Sequence, residues 1–300
     1  MDIASKPLNS SQLAAMARLF SSRVIQEMAM TGKSPLFSRL VGESALADMV
    51  MENDPIGDLF ELAFGFLVKK IYRHEYAYKA AITHKILLGV HSLRTASLLT
   101  EFRVGNCKAD IAILNDTSTV YEIKSERDRL DRLPSQMEAY RKVFVNVNIV
   151  AAEKHVAAIL DTVPEDVGVL VLNDRFRISN IREAQPNVER LDSEAIFDSI
   201  TRAEAVRLLQ LLKIRVPSVP NTKIHAEIRA IFKTLPATNL HPWMVKVLRE
   251  SRSLSSLSDL IEALPSSLRT AALCTKLHPR DHHRLLKAVE TPIGDALSWA

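Results

Sequence analysis

The sequence predicts an α/β fold: a core of a helix, a three-strand meander, a helix and a strand, flanked by N-terminal helices and a helical C-terminal region. Three observations predict it. Apolar residues recur with helical spacing before residue 100, and polar and apolar residues alternate in short runs between residues 101 and 124. Only helical patterns follow residue 193. Strands alternating with helices in mid-chain indicate an α/β core.

Helical patterns precede the core. Residues 9–31 carry one apolar stripe and predict a single helix, whereas residues 34–52 predict shorter helical pieces. The apolar spacing in residues 58–73 and 75–88 predicts two further helices. We therefore expect an N-terminal helical segment over residues 1–57.

The alternating runs predict three strands, at residues 101–105, 108–114 and 119–124. The turn-forming sequence Asn-Asp-Thr-Ser separates the second strand from the third. The elements predicted to follow are a helix at 128–144, a strand at 145–151, a helix at 155–162, a strand at 167–172 and a hairpin extension at 175–179. These elements predict that the core spans residues 58–185.

The remainder, residues 186–300, predicts a helical C-terminal region. Its predicted helices lie at 193–212, 223–235, 241–252, 256–264, 266–277 and 281–290. Lys246, Arg249 and Arg252 form a basic stripe on one of them, which favours either a DNA-engaging arm or a scaffold that binds a protein partner or a second copy of the chain.

Composition narrows the class of protein. The chain is 47% hydrophobic and 25% charged, which is typical of a soluble globular protein, and no apolar run predicts a membrane span. The N-terminus lacks the pattern of a secretory signal, and two cysteines cannot form a disulfide framework, so we expect a cytoplasmic location. The net charge of +4 is compatible with a nucleic-acid partner. P-loop, nucleophile-elbow and zincin motifs are absent, which argues against a self-contained NTPase, serine hydrolase or zincin.

Two acids and a lysine occupy the second and third predicted strands. Glu122 and Lys124 share one face because side chains alternate along a strand. If the turn is three residues long, from 115 to 117, residue 114 pairs with 118 and Asp110 lies opposite Glu122 on the same face. A two-residue turn would move Asp110 to the other face, so the prediction depends on this register.

Such a constellation favours a metal-dependent reaction at phosphate. Asp110 and Glu122 offer the hard oxygen donors that Mg²⁺ prefers, with Mn²⁺ as an alternative, and Lys124 offers a point charge near a scissile phosphate. The other interpretation is an ordinary solvated strand face. The position of the triplet between a strand and a helix favours the first interpretation, because charges in a covered strand need partners.

The motif Asp110 … Glu122-Ile-Lys124 resembles the signature of the PD-(D/E)XK nuclease superfamily, with Ala109 where the signature has proline. The resemblance covers roughly residues 58–175 and implies a restriction-endonuclease-like core and a hydrolase in which these three residues are catalytic. The phrases HSLRTAS, YEIKSE and RLxxQxxxY, which begin at residues 91, 121 and 132, also resemble a bacterial family of predicted nucleases.

The helix after the lysine strengthens the resemblance. Gln136 and Tyr140 match the Gln-x-x-x-Tyr motif of RecB-like and Cas4-like exonucleases, and their i, i+4 spacing places them on one helical face. Arg132 lies one turn earlier if the helix continues through Pro134. The resemblance implies that these three side chains contact nucleic acid, whereas the alternative for Tyr140 is a core position.

Many superfamily members bring a further acid from the first helix. Glu75 is the candidate for this third metal ligand, Glu61 is the second choice, and Glu101 on the first strand is another. Together the motifs predict a Mg²⁺-dependent nuclease acting on DNA. A non-catalytic nucleic-acid- or protein-binding module with the same fold and a nuclease acting on RNA remain the alternatives.

Overall fold

A computed structural model describes residues 8–299, which divide into two units. Residues 1–84 and 255–300 belong to the first unit, and residues 85–254 form the second. This grouping differs from the three consecutive segments predicted from the sequence, because both ends of the chain contribute to one unit. Among the described helices, none combines the length and the apolar character needed to cross a membrane.

The first unit begins with five α-helices. They are α1 (Ser10–Leu19), α2 (Ser22–Thr31), α3 (Pro35–Ser44), α4 (Ile56–Leu67) and α5 (Glu75–Ile82). The single helix predicted over residues 9–31 is therefore wrong: Phe20 ends α1 and Ser21 precedes α2. The helix predicted at 58–73 is shorter than expected, and the one predicted at 75–88 continues after α5 as the π-helical turn Thr83–Leu87.

The second unit contains a six-stranded open sheet. Its strands are β1 (Ser97–Val104), β2 (Cys107–Leu114), β3 (Ser118–Lys124), β4 (Asn146–Ala151), β5 (Gly168–Leu172) and β6 (Ile178–Arg182), and they lie in chain order across the sheet. β1, β2 and β3 form an antiparallel meander, β3, β4 and β5 are parallel, and β6 is antiparallel to β5. The mixed α/β class predicted from the sequence is confirmed.

The turn between β2 and β3 has the length that the site argument assumed. Leu114 pairs with Ser118 and Ile111 pairs with Tyr121, so three residues connect the strands. Asn115 fixes this turn, because its side-chain oxygen accepts a hydrogen bond from the Thr117 amide at 3.0 Å. The register that the sequence argument required is therefore present.

Seven helices accompany the sheet. They are α6 (Leu88–Val90), α7 (Leu133–Arg141), α8 (Val156–Thr162), α9 (Ser193–Ser199), α10 (Arg202–Leu211), α11 (Asn221–Thr234) and α12 (Ala237–Ser251). The helix predicted at 193–212 is in fact two helices, because Thr201 and Glu204 form a capping box that starts α10. Apolar side chains of α7–α12 pack with Val120 and Ile149 in one core on one face of the sheet.

The chain returns to the first unit through α13 (Ser258–Ala263), α14 (Ser266–Leu273), α15 (His282–Val289) and α16 (Ile293–Leu297). Backbone hydrogen bonds join this segment to the N-terminal one. The Ile56 amide donates to the Thr291 carbonyl at 2.9 Å, and the Ile293 amide donates to the Asp54 carbonyl at 2.8 Å. The first unit is therefore complete only when residues 255 onward are present.

Candidate active site

Strand β3 places two charged side chains on the sheet face that α7 covers. Val120, Glu122 and Lys124 alternate along the strand, and Val120 belongs to the core on that face. Glu122 is 3% exposed and Lys124 is 6% exposed. A carboxylate and an ammonium group buried this deeply are costly without partners, so their hydrogen bonds decide whether the site is stable.

Glu122, Lys124 and Gln136 form a closed triangle of hydrogen bonds. The Lys124 Nζ donates to Glu122 Oε1 and to Gln136 Oε1, both at 2.9 Å. The Gln136 Nε2 donates to Glu122 Oε1 at 2.6 Å. The amide of Gln136 therefore bridges the ion pair, accepting from the lysine and donating to the carboxylate, and it fixes the position of both charges.

Tyr140 lies one turn further along α7 and is fully buried. Its hydroxyl is 2.9 Å from Glu122 Oε2 and 2.7 Å from the Lys108 carbonyl oxygen, so its single proton serves two acceptors. Burial, and after it the negative charge of Glu122, raises the pKa of Tyr140 well above its ordinary value. The tyrosine therefore remains a neutral donor that ties α7 to β2 and β3.

Asp110 lies on β2, half-buried, beside the backbone of β3. The register of β2 and β3 places it opposite Glu122, beyond the Ile111–Tyr121 pair. Its Oδ2 accepts a hydrogen bond from the Ile123 amide at 2.8 Å, where a strand partner would otherwise accept. The charge of Asp110 also contributes, after burial and Glu122, to the raised pKa of Tyr140. The structure therefore brings Asp110, Glu122 and Lys124 to adjoining positions.

The candidates for a third acid differ in their surroundings. The register of β1 and β2 puts Glu101 opposite Asp110, but Glu101 has a left-handed φ of 53° and lies 3.6 Å from Lys108 in an exposed ion pair. Glu75 and Glu61 belong to the first unit. There Glu75 pairs with Lys79 at 2.7 Å.

Glu61 is also held within its own unit. Its Oε1 accepts hydrogen bonds from the Ser267 amide at 3.0 Å and from the Ser266 hydroxyl at 3.1 Å. Which of the three acids completes a metal site therefore remains a prediction.

The donor chemistry suits a hard divalent cation. Asp110 and Glu122 offer carboxylate oxygens, and Mg²⁺ is commonly held by one or two carboxylates together with water and phosphate oxygens. Within residues 8–299, no group of three or more His, Cys, Asp or Glu side chains is arranged to hold a metal. Metal binding by Asp110 and Glu122 therefore remains a prediction.

Arg132 lies outside the helix that was expected to carry it. α7 begins at Leu133 with Pro134 in its first turn, where the missing amide of proline is tolerated, and Arg132 is the exposed residue before it. The helix predicted from residue 128 is thus too long. In contrast, Gln136 and Tyr140 point their polar groups at Glu122 and Lys124. Contact with nucleic acid remains a prediction for Arg132, Gln136 and Tyr140.

Sequence reasoning did not identify His155, which follows β4. Its Nε2 is 3.1 Å from the Ser125 carbonyl oxygen, and the Ala152 amide donates to the Lys124 carbonyl at 2.8 Å. These contacts tie the start of the following helix to the end of β3. The sequence feature that could have identified His155 was its position just after a strand parallel to β3, because parallel strands end at the same edge of a sheet.

Two of the three cations in the basic stripe predicted on residues 241–252 form hydrogen bonds within the second unit. Arg249 donates to the carbonyls of Asn115 and Thr95 at 2.6 and 2.8 Å, and Arg252 donates to Glu204 at 2.8 and 2.9 Å. Lys246 is exposed and lies 5.3 Å from the centre of the Trp243 ring. The arginines thus brace α12 against the rest of the unit, which favours the scaffold interpretation of this helix.

Comparison with known proteins shows that one protein family matches the part of the chain that contains these residues. The model of the family described as "Bacteriophage P4 protein cII" matches residues 69–286. "Protein cII" of Enterobacteria phage P4 is 38% identical over 80 residues, which make up 26% of this chain and 30% of that protein. No solved structure matches the chain significantly. The family match includes every residue of the Asp110–Tyr140 site.

Proposed function

The chain belongs to the bacteriophage P4 protein cII family, and we propose that it is a Mg²⁺-dependent nuclease that hydrolyses phosphodiester bonds in DNA. The observation that carries this proposal is the buried triangle of Glu122, Lys124 and Gln136 beside Asp110. An apolar pair of similar volume is often as stable as a buried ion pair, or more stable. Fold stability alone therefore gives little reason for charge at these positions, whereas chemistry at phosphate gives one.

Each side chain has a definite task in the proposed reaction. Asp110 and Glu122 would hold Mg²⁺, which when bound lowers the pKa of a coordinated water and neutralises charge at the phosphate. Lys124 stabilises the negative charge that develops in the transition state. Gln136 positions that lysine by accepting a hydrogen bond from it, and Tyr140 orients Glu122 by donating a hydrogen bond to it. The assigned role of Gln136 and Tyr140 is thus to position the charged groups.

The order of elements supports the same proposal. Strands β1, β2 and β3 form the meander, α7 follows, and β4 pairs parallel to β3. This is the order expected of a restriction-endonuclease-like core, the finer fold that we propose for the second unit. Asp110 on β2 and the Glu122–Lys124 pair on β3 occupy the places that the resemblance implies.

Cleavage assays with isosteric variants test the proposal. Purified protein is incubated with single-stranded, nicked and duplex DNA, with and without Mg²⁺, alongside Asp110→Asn and Lys124→Met. We expect cleavage by the wild type only with the metal, and a loss of at least about 100-fold in both variants, in the range seen when one transition-state donor is removed. Glu138→Gln is the matched control, because Glu138 lies on α7 with a 74% exposed side chain.

Thermal melting of each variant separates loss of activity from loss of fold. Equal cleavage by the wild type, Asp110→Asn and Lys124→Met would refute the site assignment. Single-stranded RNA is assayed in parallel, and cleavage of RNA but not of DNA would support the RNA nuclease instead. Impaired cleavage by Glu138→Gln would indicate a general effect of mutating α7.

One observation favours a non-catalytic nucleic-acid-binding module as the second candidate. Glu122 already receives hydrogen bonds from three side chains, so its carboxylate is satisfied without a cation. In that case the wild type binds nucleic acid equally well with and without Mg²⁺ and cleaves none of the substrates. Asp110→Asn would then leave the affinity unchanged.

A further inference from the structure

The parallel strands of the second unit end at one edge of the sheet. Lys124 pairs with Ala151 and Ala151 pairs with Val171, so β3, β4 and β5 finish side by side. Three loops follow these strand ends, at residues 125–132, 152–155 and 173–177, and we call them together the carboxyl edge. Because neighbouring strands are about 4.8 Å apart, the three ends span about 10 Å.

Exposed cations project from all three loops. Arg127 and Arg132 lie on the first loop, Lys154 on the second, and Arg175 and Arg177 on the third. Within the described residues, none of the five forms an ion pair or donates a side-chain hydrogen bond. Their charges are therefore available to a partner, unlike those of the arginines on α12.

Two of the three acidic side chains of the first loop are bonded within the loop itself. Asp128 Oδ2 accepts from the Ser125 amide and hydroxyl at 2.7 and 2.6 Å, and Asp131 pairs with Arg129 at 2.7 Å. The three loops together carry six Lys and Arg residues against five Asp and Glu residues. The carboxyl edge therefore attracts anions through local contacts of its free arginines rather than through a large net charge.

The edge is also held in shape before any partner binds. The contact between His155 and the Ser125 carbonyl joins the first two loops. In the third loop, Asn173 Oδ1 accepts from the amides of Arg175 and Arg177, both at 3.0 Å. Binding would therefore order only the long side chains, which lowers its entropic cost.

We infer that the carboxyl edge binds the sugar–phosphate backbone of a nucleic-acid strand. The inference rests on the proposed function in one respect, namely that Lys124 ends β3 at this edge and so connects the edge to the site. A span of about 10 Å corresponds to roughly three phosphate steps along one strand of a duplex. Guanidinium groups bind phosphate oxygens through paired hydrogen bonds, and backbone contacts of this kind carry no sequence preference.

Binding measured without cleavage tests the inference. Fluorescence anisotropy of labelled single-stranded and duplex DNA is followed in EDTA, so that no hydrolysis takes place. The salt concentration is varied from about 50 to about 200 mM. Two double variants, Arg127→Ala with Arg132→Ala and Arg175→Ala with Arg177→Ala, each remove two proposed phosphate contacts. We expect each to weaken binding about tenfold or more and to reduce the slope of log K against log salt by about 1.8 on duplex DNA.

The control removes the same charge elsewhere in the second unit. Arg215 and Lys223 are exposed residues on the segment that leads into α11 and at its start, and their double alanine variant changes the net charge equally. We expect this variant to keep wild-type affinity within about twofold and a wild-type salt slope. Thermal melting confirms that each variant is folded.

The outcomes distinguish this inference from the proposed function. Loss of binding in the edge variants without any cleavage by the wild type would support the edge and refute the nuclease. Cleavage by the wild type with unchanged affinity in both edge variants would refute the edge and leave the nuclease intact. An equal loss in the control variant, or no binding by the wild type, would also overturn the edge proposal.

Discussion

Replacing Lys124 by methionine tests whether the buried ion pair is formed in the folded protein. The side chains of Lys124 and Glu122 are 8% and 4% exposed, with Nζ 2.9 Å from Oε1. Removing one member of a buried pair costs about 3–5 kcal/mol, because the other charge remains buried. Glu122 would keep its hydrogen bonds from Gln136 and Tyr140, so we expect the lower value, about 3 kcal/mol.

A double-mutant cycle isolates the pair from its surroundings. Glu122→Gln leaves the ammonium group of Lys124 buried without its counter-charge, so it should also cost about 3 kcal/mol. The double variant should cost about 3–4 kcal/mol rather than the sum, which gives a coupling energy of about 2–3 kcal/mol. The exposed pair of Glu138 on α7 and Lys142, which follows the helix, is 3.0 Å apart and is the matched control. Lys142→Met should cost no more than about 0.5 kcal/mol.

Urea unfolding followed by tryptophan fluorescence measures these energies. The chain has two tryptophans, Trp243 in the second unit and Trp299 in the first. In a Trp299→Phe background, Trp243 therefore reports on the unit that contains Lys124. A cost below about 1 kcal/mol for Lys124→Met, or additive costs in the double variant, would mean that the ion pair does not form as described.

Two further predictions concern the packing of the second unit. Burial lowers the pKa of His241 to about 4, and its Nε2 lies 2.7 Å from the Ser118 hydroxyl. The unfolded state therefore binds a proton at this histidine more readily than the folded state does. The free energy of unfolding should fall by about 3 kcal/mol as the pH drops from about 6.5 to about 4. Urea unfolding across that pH range should show this loss in the wild type and not in His241→Gln; an equal loss in both would refute the assignment. A Cβ on Gly168 would lie 2.1 Å from Asn148 Oδ1, so Gly168→Ala should cost about 2 kcal/mol, and adding Asn148→Ala should recover part of it. Gly65→Ala is the control because nothing lies within 4 Å of its added Cβ, and similar unfolding midpoints for both alanine variants would contradict the expected clash.

The local features of the site could be predicted because each depends on a short-range rule. The presence of a turn after Leu114 follows from its turn-forming residues, although its length of three residues was only assumed. The shared face of Glu122 and Lys124 follows from strand alternation. The spacing of Gln136 and Tyr140 placed both on one side of a helix. What spacing could not provide was the partner of each group, because the bond from Gln136 to Lys124 depends on how α7 packs on the sheet.

The errors in the fold have equally local causes. The apolar stripe of residues 9–31 continues through the break at Phe20, so periodicity alone could not reveal two helices. The break before α10 did carry a signal, since Thr201 and Glu204 have the spacing of a capping box. The left-handed conformation of Glu101 has no signal in its residue type, because glutamate rarely adopts positive φ.

The division of the first unit into two stretches of chain has a consequence for synthesis. Helices α1–α5 leave the ribosome first, yet the partners of Asp54 and Ile56, Ile293 and Thr291, are made only about 235 residues later. At about 5–20 residues per second, that interval lasts roughly 12–47 s. All residues of the second unit are thus synthesised before the first unit is complete. During that interval the apolar faces of helices α1–α5 lack the partners that are made later. A nascent chain halted near residue 254 would hold all of the Asp110–Tyr140 site and only part of the other unit.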